Sequence, residues 1–201
     1  MPHLSLTDFV DIISASGTPK ATKVKQIKFR PAYNPAADFY KRIREGIIEI
    51  HKNGYNKSHI GSTLTGLTDK KKETAYPEIV SGYKKWWGNK QIIWFEPPND
   101  LFSSHGVDVS VNPELGLEIN GASHLVKLYF KGEPLAKNRI DIITHLMAAV
   151  LTNSCPSPSS TVMSVLDVRR SKLISPTVPI PAIGGILEAE LAYISALWPS
   201  L

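Results

Sequence analysis

The sequence predicts an α/β (α+β) fold, a mixed central sheet that contains an antiparallel meander and is flanked by helices. Three observations lead there. Apolar residues recur at helical spacing before residue 90 and after residue 135, whereas between 91 and 131 they alternate with the period of a strand. Asn120-Gly121 lies between two of the alternating runs and is the pair a two-residue hairpin turn prefers. With 201 residues, 42% of them hydrophobic and 20% charged, the chain can bury a core and lacks the composition of a disordered chain or a coiled coil.

In chain order, residues 5–14 read as a short helix: Ser5 is the N-cap, Leu6, Phe9, Val10 and Ile13 share a face, and Gly17 is the stop. In 18–30, Lys23, Lys25 and Lys28 interleave with Val24, Ile27 and Phe29, which reads as an edge strand or a basic arm. Residues 1–35 are thus expected to be an N-terminal helix and basic arm, and 36–201 a single α/β domain. Asn34-Pro35 opens a helix to about Lys52, with Phe39, Ile43, Ile47 and Ile50 inward and Asn53-Gly54 closing it. Residues 54–74 read as an exposed loop carrying Lys70-Lys71-Lys72. The next helix, 76–88, has Pro77 in its first turn and Ile79, Val80, Tyr83, Trp86 and Trp87 on its buried side. A strand over 91–96 is cut off by Pro97-Pro98, and 107–111, 115–119 and 124–131 form the meander. A helix over 135–151, a Ser/Pro-rich connector over 152–160, one strand over 162–174 and a helix over 183–198 complete the chain.

The net charge of +5 conceals an asymmetry: residues 1–90 hold 16 Lys/Arg against 8 Asp/Glu, and 91–201 hold 7 against 10. A basic half attracts polyanions, whether nucleic acid, acidic protein or anionic membrane. The apolar stretch 140–151 is interrupted by Asp141, Thr144 and His145, and the N-terminus lacks the basic-then-apolar layout of a signal peptide. A cytoplasmic protein with no membrane span is expected. A single cysteine, Cys155, excludes an internal disulfide, and no His/Cys cluster has zinc-ligand spacing.

The order helix, helix, three or four antiparallel strands, helix, strand, helix resembles the PD-(D/E)XK, restriction-endonuclease-like superfamily, closest to its RecB-type branch, over roughly residues 36–175. The resemblance implies a helix acid, a strand aspartate and a (D/E)xK that together hold a divalent cation such as Mg²⁺ at the scissile phosphate and steady the attacking hydroxide. Where that branch reads aspartate, tyrosine, lysine, this chain reads Leu128, Tyr129, Phe130; Glu118-Ile119-Asn120 keeps the acid and replaces the lysine. The implied motif is degenerate.

Pleat parity gives a candidate site from the residues themselves. A two-residue turn at Asn120-Gly121 sets Glu118 opposite Ser123, on the face of Leu125 and Lys127. A five-residue turn over 112–116 would set Ser110 opposite Glu118 and Asp108 opposite Asn120. One face then presents Asp108 and Glu118 as metal ligands and, with Lys127, as the catalytic set, and Glu45 is a conceivable third acid. The plainer reading makes Asp108 and Glu118 solvent-face residues, Lys127 a cross-strand partner of a Glu, and Glu45 the partner of Lys41 one turn away.

The expected function is a nucleic-acid-associated protein with a degenerate nuclease-like centre. Its expected phosphate contacts are Lys20, Lys23, Lys25, Lys28, Lys70, Lys71, Lys72, Arg169, Arg170 and Lys172. The alternatives are an accessory module that holds an acidic protein partner, and an active Mg²⁺-dependent nuclease.

Overall fold

A computed structural model describes residues 1–157, 159–176 and 181–201, which leaves position 158 of the Ser/Pro-rich connector outside the described residues. Strand β1 (His3–Ser5) runs into helix α1 (Leu6–Ile13), where the Ser5 side chain accepts from the Asp8 amide as its N-cap position predicts. Gly17 does not end the local structure. It begins helix α2 (Gly17–Lys28), so the segment expected as an edge strand or basic arm is helical. Pro19 suits a first helical turn, and buried Val24 with half-buried Ile27 makes an i,i+3 stripe that outweighs the Lys/apolar alternation.

Helix α3 (Lys41–Lys52) starts later than Asn34-Pro35, because the Asn34 and Asp38 side chains accept from the Ala36 and Tyr40 amides and hold 34–40 in turns. The stretch expected as an exposed loop is largely ordered. A 3-10 helix spans Lys57–Leu64 with Ile60 and Thr63 buried, and helix α4 (Lys70–Trp87) begins behind the N-cap Asp69. Lys70, Lys71 and Lys72 therefore form the first turn of α4, and Pro77 lies inside it.

Strands β2 (Ile92–Phe95), β3 (Asp100–Ser104), β4 (Val107–Val111), β5 (Leu115–Ile119) and β6 (Ala122–Tyr129) follow; helix α5 (Lys137–Leu151) leads to β7 (Val162–Asp167), β8 (Lys172–Ile174) and helix α6 (Ile183–Leu197). The single strand expected over 162–174 is a hairpin, its turn made with a left-handed Ser171 at φ +55°.

The fold is mixed α+β with two sheets, one ordered β1-β4-β3 and one ordered β2-β5-β6-β7-β8. β1 pairs with β4, and β6 with β7, in parallel; the remaining pairs are antiparallel. The turn joining β5 to β6 has φ +50° at Asn120 and +86° at Gly121, the two left-handed residues of a type I′ hairpin, and Glu118 opposes Ser123 as parity predicts. The meander breaks one strand earlier: β4 pairs with β3 and β1, while β5 pairs with β2 and β6.

The five-stranded sheet separates two cores. On one side Leu115, Leu117, Val126, Leu128 and Leu166 pack against Ile43, Ile47 and Ile50 of α3 and Ile79, Tyr83 and Trp86 of α4. On the other, Leu125, Tyr129, Met163 and Val165 meet α1, α5, α6 and the Val107, Val109 and Val111 face of the smaller sheet. Leu4, Leu6, Phe9 and Val24 are buried here, so the first 28 residues build the core and are no appended arm. Gly82 lets α4 approach the β7–β8 turn closely: a Cβ there would meet the Val168 carbonyl oxygen, and Ser171 Oγ donates to the Gly82 carbonyl at 2.8 Å.

Candidate functional site

The residues expected to form a catalytic face do not converge. Asp108 stands in β4 of the smaller sheet, where Ser103 Oγ donates to its Oδ1 at 2.6 Å; Glu118 stands exposed in β5 of the larger sheet, between Ile93 and Ser123. The connection between β4 and β5 is residues 112–114, not a five-residue turn over 112–116, and it sends β5 into a different sheet, so the expected opposition of Ser110 with Glu118 and of Asp108 with Asn120 does not form. Glu45 lies 3.6 Å from Lys41, the ion pair that i,i+4 spacing favours.

Lys127 does have a carboxylate, from a residue that periodicity could not single out. Its ammonium donates to Glu114 Oε1 at 2.7 Å and to the Asn112 carbonyl at 2.9 Å, while Glu114 Oε2 accepts from the Leu128 amide at 2.8 Å. Both side chains are largely buried, at 10% and 14% exposure. This pair lies on the wall of a cavity of about 250 Å³ at the C-terminal end of β6. Two further charge clusters flank it. Arg44 meets Asp38 at 2.7 Å, and Asp11 receives both Arg139 and Lys131, the latter at 3.2 Å. Burial raises the Asp38 and Asp11 carboxyls, but the guanidinium of Arg44 in one case, and Arg139 with Lys131 in the other, outweigh it and hold both below the usual carboxylate range.

These donors do not suit a Mg²⁺ ion. A hard divalent cation needs several convergent oxygens; Glu114, which accepts from an ammonium and an amide, has no second carboxylate converging on it, and Asp108 and Glu118 belong to separate sheets. Among the described residues there is no group of three or more His, Cys, Asp and Glu arranged to hold a metal.

The basic residues divide into those spent on the fold and those that face outward. Lys20 pairs with Glu190 at 2.6 Å, and Lys28 donates to the Trp198 and Leu201 carbonyls at 2.7 and 2.9 Å, which fastens α2 to the C-terminal segment. Arg169 holds Glu78 and donates to the Phe130 carbonyl at 2.6 Å, and Arg170 holds Asp167 at 3.1 Å and donates to the Gly132 carbonyl at 2.6 Å. Lys23, Lys25, Lys70, Lys71 and Lys172 form no ion pair among the described residues; Lys72 lies 5.8 Å from the Phe39 ring.

The outward charge is concentrated on the layer formed by α3, the 3-10 helix and α4. Residues 41–90 contain eleven Lys/Arg and five Asp/Glu. Lys70, Lys71 and Lys85 are exposed along α4, with Lys84 half-buried beside them. Three lysines in the first turn oppose the helix dipole, a local cost the Asp69 cap partly offsets. The aromatic residues of this layer are mostly interior: Trp86 is buried with its Nε1 unpartnered among the described residues, and Trp87 stacks on the His51 ring at 4.5 Å.

Two further polar groups, His124 and Cys155, have structural partners. His124 Nδ1 lies 2.9 Å from Ser164 Oγ, and Cys155 Sγ donates to the Leu151 carbonyl at 3.2 Å, its thiol pushed up by burial. No helix among the described residues is long and apolar enough to cross a membrane. Comparison with protein-family models, with curated proteins and with solved structures gives no match, so the chain's own geometry carries the functional reading.

Proposed function

We propose that the chain is a nucleic-acid-associated protein with a nuclease-like order of elements and no hydrolytic centre, which contacts the phosphate backbone through the helical layer over residues 41–90. The observation that carries this reading is the surplus of six positive charges on that layer, with Lys70, Lys71, Lys84 and Lys85 making no ion pair among the described residues. Phosphate neutralisation by such lysines releases counterions and gives affinity without sequence preference. The reading without a cutting step is supported by the separation of Asp108 and Glu118, which stand in different sheets and do not converge on one cation. Lys23 and Lys25 of α2, on the other side of the five-stranded sheet, and Lys172 of β8 form no ion pair among the described residues but lie outside this layer, whereas Lys20, Lys28, Arg169 and Arg170 serve the fold.

Fluorescence anisotropy with labelled duplex and single-stranded DNA and RNA tests the reading. Binding should weaken linearly on a log-log plot between about 50 and about 200 mM salt, and reversing Lys70, Lys71 and Lys72 to Glu should weaken it on every sequence. No binding at the lower salt would transfer this basic layer to the alternative, docking of an acidic protein. Mg²⁺-dependent cleavage abolished by Glu114→Gln would restore the nuclease.

A further inference from the structure

The cavity at the end of β6 adjoins the basic layer only through Arg44 of α3 and has a different chemistry. Its deep walls are apolar: Leu6 and Val10 of α1, Phe130, Ile143 of α5 and Val165 of β7 are all buried. Its charged lining is cationic in excess. Arg44 and Lys127 each have their own carboxylate, Asp38 and Glu114, but Lys131 and Arg139 share one, Asp11. Of the four cations, Lys131, Arg44 and Arg139 are the more exposed, at 34%, 29% and 23% of their side chains, so charge gathers toward solvent while the apolar wall lies within.

We propose that this cavity is a binding site for a small monoanion with an apolar body, a medium-chain or aromatic carboxylate, with its head on Arg139 and Lys131 and its body against Leu6, Val10 and Phe130. Two cations facing a single carboxylate leave one positive charge for the ligand, and an arginine that has given one donor to Asp11 keeps others for a second oxyanion. The neutral pairs Arg44–Asp38 and Lys127–Glu114 line the cavity as well and add no net charge. A volume of about 250 Å³ holds roughly ten to fifteen heavy atoms, above a benzene-sized site and below a drug-sized pocket.

Calorimetry on the full chain with octanoate, octanol and octylammonium tests this. Octanoate should bind with a Kd of about 0.5 mM, as its ten heavy atoms allow; octanol should bind at least about fivefold more weakly and octylammonium not at all. Arg139→Gln should weaken octanoate about fivefold or more, and Thr7→Trp, an exposed α1 position on the cavity wall, should block it while circular dichroism shows both variants folded. Equal binding of octanoate and octylammonium, full affinity in either variant, or no octanoate binding at about 10 mM would overturn the proposal. Each result is independent of nucleic-acid binding, which Lys70, Lys71 and Lys72 control.

Discussion

Between neutral pH and about pH 5 this protein should lose about 2 kcal/mol of stability through one side chain, His51. The residue stands in the last turn of α3 and faces α4 at 6% exposure, its Nε2 2.5 Å from the Tyr83 hydroxyl and its ring against Trp87. Among the described residues no carboxylate touches it, and burial pushes its pKa from 6.5 down to about 4. The unfolded chain takes up its proton near 6.5, the folded protein only near 4. Between those values the unfolded state holds more protons, so stability falls as pH falls, by about 2 kcal/mol at pH 5 and about 3 kcal/mol once pH drops below 4. Asp11 and Asp38, whose carboxyls are held low, lose their contribution in the same direction but only from about pH 4 downward, as protons reach the unfolded carboxylates near 3.8. The assay is urea unfolding at about pH 7.5 and about pH 5 on the wild type and His51→Gln, which keeps a hydrogen-bonding group for Tyr83 and does not titrate. His124, also lowered by burial, contributes equally to both proteins and cancels. The wild type should lose about 2 kcal/mol more than the variant; an equal loss in both would refute the burial argument.

Gly82→Ala should destabilise by about 2 kcal/mol in the same urea assay, because the new methyl meets the Val168 carbonyl and neither backbone can move without breaking the α4 or β7 packing. Lys127→Met should cost about 3 kcal/mol by leaving Glu114 buried without its ammonium, and the double variant with Glu114→Leu should recover most of that; no recovery would show that the loss is one of packing. Lys20→Glu should lower stability by about 1 kcal/mol by setting two carboxylates together at Glu190, whereas Lys25→Glu, exposed on the same helix, should stay within about 0.5 kcal/mol.

The parts of the fold legible in the sequence are those governed by neighbours along the chain. The β5–β6 register follows from Asn120-Gly121 and the pleat, and α1 follows from the Ser5 cap and its apolar stripe. What the sequence hides is the choice of partner. Val107, Val109 and Val111 alternate as clearly as Leu115, Leu117 and Ile119, yet one set faces α1 and α5 and the other faces α3 and α4; nothing in the intervening turn records that they belong to different cores. The same limit separates Asp108 from Glu118. Glu114 is a lone acid after Pro113 with no periodic context, and its role appears only when Lys127, 13 residues on, folds back to it. Positive charge is visible in a sequence, but whether a lysine is spent on a carboxylate 170 residues away is not.

That distance bears on how the protein is made. Val24 and Ile27 pack in the core shared with Leu187, Leu191 and Ile194 of α6, and the lysines beside them reach Glu190 and the Trp198 carbonyl. At about 5–20 residues per second, α2 leaves the ribosome about ten to thirty seconds before its partner does. Through that interval α2 has α1 to lie on but lacks the α6 side of its packing, which leaves that side open to a chaperone or a protease until α6 is made.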